Sequence, residues 1–450
     1  MQIKEILKAV NGELLQGNIN LIINSFSNDT RTLEKGALYI PIIGENFDGH
    51  SFIEQAYNKG AVAILSSQKE GFPKGLTVIY VPDTLKALQS LAHYKRITAK
   101  VKVIAITGSV GKTSTKDMVA SVVSTKYKTL KTLGNYNNNI GLPLTILRLK
   151  DEEVMVLEMG MNHLSEISLL STIAKPDIAI ITNVGSAHIG NLGSRENILK
   201  AKLEICDGLV KDGVLIINGD NDLLSDYFYS KKQKPAQVIR YGLKKEHNDV
   251  FPTKVKLSPK ESQFEYNNQN YNVSMPGAHF ISNALACVSI GLVLKIPLSK
   301  IKIGIESFEL TKNRNDTIEL NKGITLIDGT YNANADSMKA SLLVLSQFKN
   351  QRKVAVLADM FELGTFTTVL HEEVGKYAEE VGVDFLICIG ELSKSILKGG
   401  KNIKETYWFP NNQEATDFLL NNLKENDVIL MKGSNTMKLK EIVEVIKEKI

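Results

Sequence analysis

From Val101 onward, short and nearly continuous apolar runs alternate with long amphipathic stretches, and this rhythm restricts the fold more than any other feature of the chain. VKVIAIT (101–107), VMVLE (154–158), DIAIIT (177–182) and VLIIN (214–218) have no polar face to offer to water. Strands of that kind must be covered on both sides, which is the condition of a parallel sheet with helices above and below. The stretch Lys112–Tyr127 sets Met118, Val119, Val122 and Val123 on one helical face. Residues 251–274 read as a hairpin around NNQN, followed by a helix beginning near Ser282. A second series then opens with GITLID (323–328) and continues through KVAVLAD, FLICIG, TYWF and DVILM, with helices expected at 335–348, 367–382, 412–423 and 438–449. That series is a complete doubly wound domain of its own.

Residues 1–98 differ in rhythm. Shorter apolar runs (Ala37–Ile43, Ala61–Leu65, Thr77–Val81) are separated by turn residues and by helical patterns at Phe52–Asn58 and Leu85–Arg96. The expected architecture is therefore three α/β domains, bounded at 1–98, 99–311 and 312–450: a small N-terminal domain, a central parallel sheet and a C-terminal Rossmann-like domain. A length of 450 residues agrees with about 150 per domain. The net charge of +5 is thinly spread, which argues against a dedicated nucleic-acid binder. Cys206, Cys287 and Cys388 are far apart, fit no metal spacing and read as reduced core thiols. MQIKEILKAV reads as a short amphipathic helix, and KLKEIVEVIKEKI at the other end as a solvated one. A cytoplasmic protein without membrane insertion is expected, with Met338 and Tyr377 in its core.

The clearest chemistry lies at Thr107-Gly108-Ser109-Val110-Gly111-Lys112-Thr113, with Ser114 next, between a strand and a helix. Glycines let backbone N–H groups close around an anion, and the helix N-terminus adds its dipole. Lys112 supplies a positive charge, and the Thr113 hydroxyl can meet Mg²⁺. Ile106 stands where the usual phosphate-loop pattern begins with glycine, but the strand-to-helix context is the right one. Nucleotide phosphate is the expected ligand.

Glu158 ends the strand VMVLE, on the edge where a doubly wound sheet places its ligand crevice. It reads either as a solvated strand-end glutamate or as an oxygen ligand of Mg²⁺. His188, after the next strand, is either structural or a ligand or acid/base group. Lys202, in NILKAKLEI, reads from spacing alone as a solvated lysine. Asp29, Thr30, Arg31, Asp48 and His50 are either polar turn residues capping short strands or ligand contacts, with a basic group and donors clustered near Gly44 and Gly49.

Taken together, Thr107–Thr113, GNYNNNIGLPLT (134–145), LEMGMN (157–162), ITNVGSAHIGNLGS (181–194) and AKLEI (201–205) resemble the ATP-dependent Mur ligases of peptidoglycan synthesis. The resemblance runs through the whole chain. DTRTLEKGALYIPIIGENFDGHSF (29–52) resembles the uridine-nucleotide domain of the later-acting members. IDGTYNANADSMKASL (327–342) and DMFELG (359–364) resemble the branch that adds the dipeptide D-Ala-D-Ala. The resemblance implies an amide ligase that converts the carboxylate of UDP-MurNAc-tripeptide to an acyl phosphate and joins it to D-Ala-D-Ala, a step of cell-wall synthesis on which cell shape and division depend. It implies that Lys112, Glu158, His188 and Lys202 are catalytic, with Thr113, Glu158 and His188 holding two Mg²⁺ and Lys202 carbamylated. Asn283, Arg314 and Asp328 join the phosphate loop in binding ATP. Asn46, Asn138, Tyr331 and Asn332 join the N-terminal set in binding substrate, in a chain expected to act as a monomer. The chain departs from the family pattern at Phe280, Asn313, Ala335, Ala358 and Asn435. A sister ligase with a single amino acid as acceptor, and a regulatory ATPase that makes no amide, are the alternative readings.

Overall fold

A computed structural model describes residues 1–230, 237–309 and 316–450. It contains three larger sheets and one small one. The N-terminal sheet has five strands. Ser25–Ser27, Ala37–Tyr39, Ala63–Ser66 and Thr77–Tyr80 run parallel, and Glu13–Gln16 closes the edge antiparallel to Thr77–Tyr80. The helix Thr84–Thr98 then leads away, started by Asp83, whose carboxylate accepts from Lys86 N at 3.0 Å. This helix carries much of the docking onto the central domain. Arg96 donates to the carbonyls of Ala174 and Lys175 and to Asp177 Oδ2, all at 2.8–2.9 Å.

The central sheet is wholly parallel. Lys102–Thr107 lies in its middle, with Val154–Glu158 and Thr129–Lys131 on one side and Ile178–Ile181, Val214–Asn218 and Gln237–Tyr241 on the other. Ile104, Ile106, Val156, Ile180 and Ile216 are all but inaccessible to water, as continuous apolar strands require. Each such side chain contributes about 1.5–3 kcal/mol by burial. The helices Lys112–Ser124 and Ala278–Val293 cover one face. The latter begins four residues before the expected start, because Gly277, at φ +115°, serves as its N-cap. The hairpin around NNQN has its tight turn at Asn267-Asn268, both at positive φ, and gains a third strand, Lys254–Leu257, that sequence reading did not separate.

The C-terminal sheet orders its strands Asp316–Glu319, Thr325–Asp328, Val428–Lys432, Lys353–Ala358, Phe385–Ile389 and Glu405–Phe409. All are parallel except the first, an antiparallel edge strand whose short mixed sequence DTIE carried no strand signal. The four expected helices are present as Ala335–Leu345, Thr367–Glu380, Asn412–Asn422 and Lys440–Lys449. Met338 is fully buried and Tyr377 half-buried against the core. Cys287 and Cys388 are buried, Cys206 is half-buried, and all three are free thiols. Among the described residues no helix is long and apolar enough to cross a membrane. The central and C-terminal sheets turn the carboxyl ends of their strands toward one shared cavity, and that is where the chemistry collects.

Candidate active site

The cavity has a volume of about 450 Å³. On the central side it is walled by the loop Ser109–Ser114, Glu158, His188 and Asn283. The opposite wall comes from the C-terminal domain and includes Tyr331, Asn332, Glu362 and Lys432.

Two glycines make the phosphate loop possible. A Cβ on Gly108 would lie 1.9 Å from Thr182 Oγ1, so no larger residue fits that close pass. Gly111 takes φ +82° and is the N-cap of the Lys112–Ser124 helix, a conformation that costs other L-residues energy. Thr107 Oγ1 ties the strand end to Met159 O at 2.9 Å. Asn183, which sequence reading passed over, holds the crown of the loop. Its Oδ1 accepts from Ser109 N at 3.1 Å and Val110 N at 2.9 Å, while its Nδ2 donates to Val110 O at 2.9 Å. Lys112 arches over the loop and donates to Gly108 O at 2.7 Å.

Glu158 is buried, not solvated. Its Oε2 accepts from the Thr113 hydroxyl at 2.9 Å and its Oε1 from Asn137 Nδ2 at 2.9 Å, while its own N–H donates to Thr132 Oγ1 at 3.0 Å. A buried carboxylate without such donors would be strongly penalised. Asn137 therefore belongs to the site. Its neighbour Asn138 lines the cavity but turns its Oδ1 to Gly141 N at 2.8 Å, at the start of the Gly141–Leu147 helix.

His188 takes the left-handed conformation at φ +63° and faces Glu362 of the C-terminal domain, with Nδ1 and Oε2 2.7 Å apart. The imidazole holds the Glu362 carboxyl below its ordinary range. Glu158 and His188 share the cavity. Among the described residues, however, no three His, Cys, Asp or Glu side chains come together as a ready-made metal cage.

Lys202 corrects the solvated reading. Its side chain is completely buried in the helix Arg195–Leu203, and Nζ has no hydrogen-bond partner. Burial, followed by repulsion from Lys112, pushes its amine well below the ordinary lysine range. The wrong expectation came from the polar look of NILKAKLEI, which hides the fact that position 202 faces inward.

On the C-terminal wall, Asp328 is buried but committed locally, with Oδ1 accepting from Thr330 N at 3.0 Å and Thr330 Oγ1 at 2.6 Å. The residues that follow it reach the cavity, with Asn332 exposed and Tyr331 half-buried. Lys432, at the end of the central strand of that sheet, was not foreseen. It is 6% exposed and donates to Gly329 O at 3.3 Å and Asn332 O at 3.1 Å. Burial and the charge of Lys432 push neighbouring His279 down to about 4, which keeps that imidazole neutral at physiological pH. Arg314 lies outside the described residues.

The N-terminal candidates form a separate cluster away from this cavity. Arg31 is largely exposed and pairs with Asp29 at 2.8 Å, holding the Asp29 carboxyl below its ordinary value. Thr30 is buried and donates to Gln55 Oε1 at 2.8 Å. Asn46 is exposed. His50 is buried. Its Nε2 accepts from Ser67 N at 3.1 Å, so the ring proton sits on Nδ1 and is donated to Asp48 Oδ1 at 2.6 Å.

A phosphate loop with a paired threonine and glutamate, facing a second α/β domain across a polar cavity, defines a nucleotide-dependent enzyme whose site lies between two domains. Comparison with known proteins sets the family. The chain matches family models described as Mur ligase family, catalytic domain (residues 23–96), Mur ligase middle domain (106–291) and Mur ligase, glutamate ligase domain (313–435). It is 39% identical to the UDP-N-acetylmuramoyl-tripeptide–D-alanyl-D-alanine ligase of Bacillus subtilis (strain 168), over 98% of this chain and 97% of that one. A crystal structure of MurF from Acinetobacter baumannii superimposes with a TM-score of 0.91 at 32% identity, covering 100% and 99% of the two chains. MurF ligase from Thermotoga maritima, crystallised in complex with ADP, gives a TM-score of 0.83 at 26% identity over 95% and 98%. The chain belongs to the Mur ligase family.

Proposed function

We propose that this enzyme joins D-alanyl-D-alanine to UDP-MurNAc-tripeptide at the expense of ATP, forming UDP-MurNAc-pentapeptide, ADP and phosphate. One observation carries the reading: a phosphate loop and a second, polar wall from the C-terminal domain meet in one cavity, in a chain alike over its full length to ligases named for this reaction. The Thermotoga relative's ADP supports ATP as the nucleotide.

A carboxylate is a poor acyl donor, so it must first receive a phosphoryl group. The dipeptide amine then attacks the acyl phosphate, the new C–N bond forms, and inorganic phosphate leaves with the electron pair of the broken C–O bond. The loop N–H groups and Lys112 would bind the phosphoryl oxygens. Asn283, on the cavity wall near Gly111, is suited to the nucleotide base. Thr113 and Glu158 are adjacent hard oxygen donors, a set that fits Mg²⁺, which takes few protein ligands and completes its shell with phosphate and water. Bound there, the ion would neutralise charge on the phosphate oxygens. His188 is the candidate for a second ion. Lys202, buried and with a depressed amine, is suited to react with CO₂ and become an anionic carbamate.

The N-terminal cluster of Asp29, Thr30, Arg31, Asn46, Asp48 and His50 is assigned to the uridine nucleotide, and Asn138, Tyr331 and Asn332 to the peptide portions. The domain bounds are 1–98, 99–311 and 312–450. The chain is assigned as a monomer, and the free thiols support a reducing cytoplasm.

The test is phosphate release from ATP with UDP-MurNAc-tripeptide and Mg²⁺, in the presence of D-Ala-D-Ala, of single amino acids, or of no acceptor. Release that depends on the dipeptide, with a product heavier by one dipeptide, is expected. Release driven by a single amino acid would move the chain to a sister ligase, and acceptor-independent release would leave an ATPase.

A further inference from the structure

The loop from Asn183 to His188 is shared by two domains. Within the central domain, Asn183 holds the N–H groups of Ser109 and Val110, and Val184 O accepts from Arg195 at 2.9 Å and from Asn221 at 3.2 Å. Gly185 N donates to Ser109 Oγ of the phosphate loop at 3.0 Å, and the next residue is held from outside. Asp336, in the first turn of the Ala335–Leu345 helix of the C-terminal domain, accepts through Oδ2 from Ser186 N at 2.7 Å and from Ser186 Oγ at 2.8 Å. Both bonds end on one charged oxygen, and hydrogen bonds of that kind are about twice as strong as neutral ones. The fit is close. A Cβ on Gly185 would lie 2.3 Å from Asp336 Oδ2, so only glycine lets the carboxylate approach. Beside this contact, Gly190 N donates to Glu362 O at 3.0 Å, and a Cβ on Gly190 would lie 2.5 Å from Gly364 N. Ala187 and His188 wall the cavity on one side, Asn334 and Ser337 on the other, and Asp336 is not among the described residues that line it.

We propose that Asp336 is a positioning residue that couples domain closure to catalysis: by gripping Ser186 it sets the 183–188 loop, and through Asn183 the phosphate loop, only while the C-terminal domain is docked. Asp336 touches no substrate in this scheme. Undocking removes both bonds at once and frees Ser186 N–H, while the Asn183 grip on the phosphate loop loses its far anchor. ATP is then held by an incompletely set cradle.

The experiment compares wild type with Asp336→Ala, Asp336→Asn, Ser186→Ala and the Asp336→Ala/Ser186→Ala double variant. Hydrogen exchange over residues 183–188 is followed with and without ADP and Mg²⁺, alongside steady-state amide formation. Asp336→Ala is expected to speed exchange across that segment and to lower kcat/KM for ATP about ten-fold, with uridine-substrate affinity unchanged and a modest fall in Tm from the stranded Ser186 N–H. Asp336→Asn keeps a carbonyl acceptor and recovers part of the loss. Ser186→Ala keeps the backbone bond and costs about two- to three-fold. The double variant is expected to be no worse than Asp336→Ala alone, because both changes remove one linkage. Wild-type exchange and turnover in Asp336→Ala, or losses that multiply in the double variant, would overturn the proposal. The turnover arm rests on the ligase reading. If wild type makes no amide, that reading falls, and the exchange arm still decides the role of Asp336.

Discussion

The two sheets that face the cavity offer it the same structural resource and spend it differently. In the central domain the phosphate-binding part is one continuous loop, residues 107–114, joined by the Glu158 carboxylate at the end of the neighbouring strand, while His188 and Asn283 come from farther along the chain. In the C-terminal domain the wall is assembled from three separate strand ends, represented by Tyr331, Glu362 and Lys432. A site made from one loop works through its backbone, which glycine and a helix N-terminus shape locally. A site made from scattered strand ends depends on the sheet being correctly assembled and on the domain being docked. The central half is accordingly expected to supply most of the contacts to nucleotide, and the C-terminal half to complete the cradle for turnover once docked.

Lys112→Ala tests this contrast most severely. Loss of a phosphoryl-binding cation is expected to reduce amide formation by roughly a hundred- to a thousand-fold. Uridine-substrate binding, measured by titration calorimetry, is expected to be unchanged, because its candidate contacts lie on another domain. If that binding collapses as well, the two regions do not work independently.

Glu158→Gln keeps the shape of the side chain and removes the charge. Turnover is expected to fall by about ten- to a hundred-fold and the Mg²⁺ titration to shift to higher concentration, since the ion loses its anionic ligand while Thr113 remains. A Mg²⁺ curve superimposable on that of wild type would place the ion elsewhere.

Lys202→Met separates stability from function within the central domain. An unpartnered buried amine is destabilising by about 1–3 kcal/mol, so the variant is expected to have a higher Tm than CO₂-free wild type and about ten-fold lower turnover. The pH dependence has a definite sign. The folded amine is depressed, so over the interval between its folded value and the ordinary lysine range the unfolded chain binds a proton that the folded chain does not. Wild-type stability from this group therefore rises as pH climbs toward the ordinary lysine range, and the advantage of the Met variant shrinks over the same interval. A ¹³C carbamate signal from labelled CO₂ that disappears in the variant would tie the turnover loss to the modification.

The same contrast explains what could be read from the chain. The alternating apolar runs reveal both large sheets because burial on two faces imposes a local pattern, and the phosphate loop is visible because its glycines, lysine and threonine are adjacent. Asn183, Asn137 and Asp336 are not visible in this way. Asp336 meets Ser186 across 150 positions, and no periodicity or spacing records such a pairing. Lys202 was misjudged for a related reason: in a short polar helix, which face is covered is settled by the neighbouring domain core and not by the helix itself. The edge strand Asp316–Glu319 was missed because an edge needs no continuous apolar run.

The smallest expected effects lie in the N-terminal domain, and there the comparison can be made between neighbours. Arg31 is exposed and reaches its ion-pair partner within the same turn, whereas His50 is buried between Asp48 and Ser67. Arg31→Ala is expected to leave Tm unchanged and to raise KM for the uridine substrate several-fold, because an exposed guanidinium is available to a diphosphate and adds little to folding. His50→Ala is expected to do the reverse. It strands the Ser67 N–H and releases Asp48, lowering stability by about 1–3 kcal/mol, with a smaller change in KM that follows from looser placement of Asp48. Equal KM effects with no loss of Tm in His50→Ala would make His50 a direct contact. The N-terminal site would then resemble the central one, with the binding groups themselves buried, and the distinction between exposed contacts and buried supports would fail for this domain.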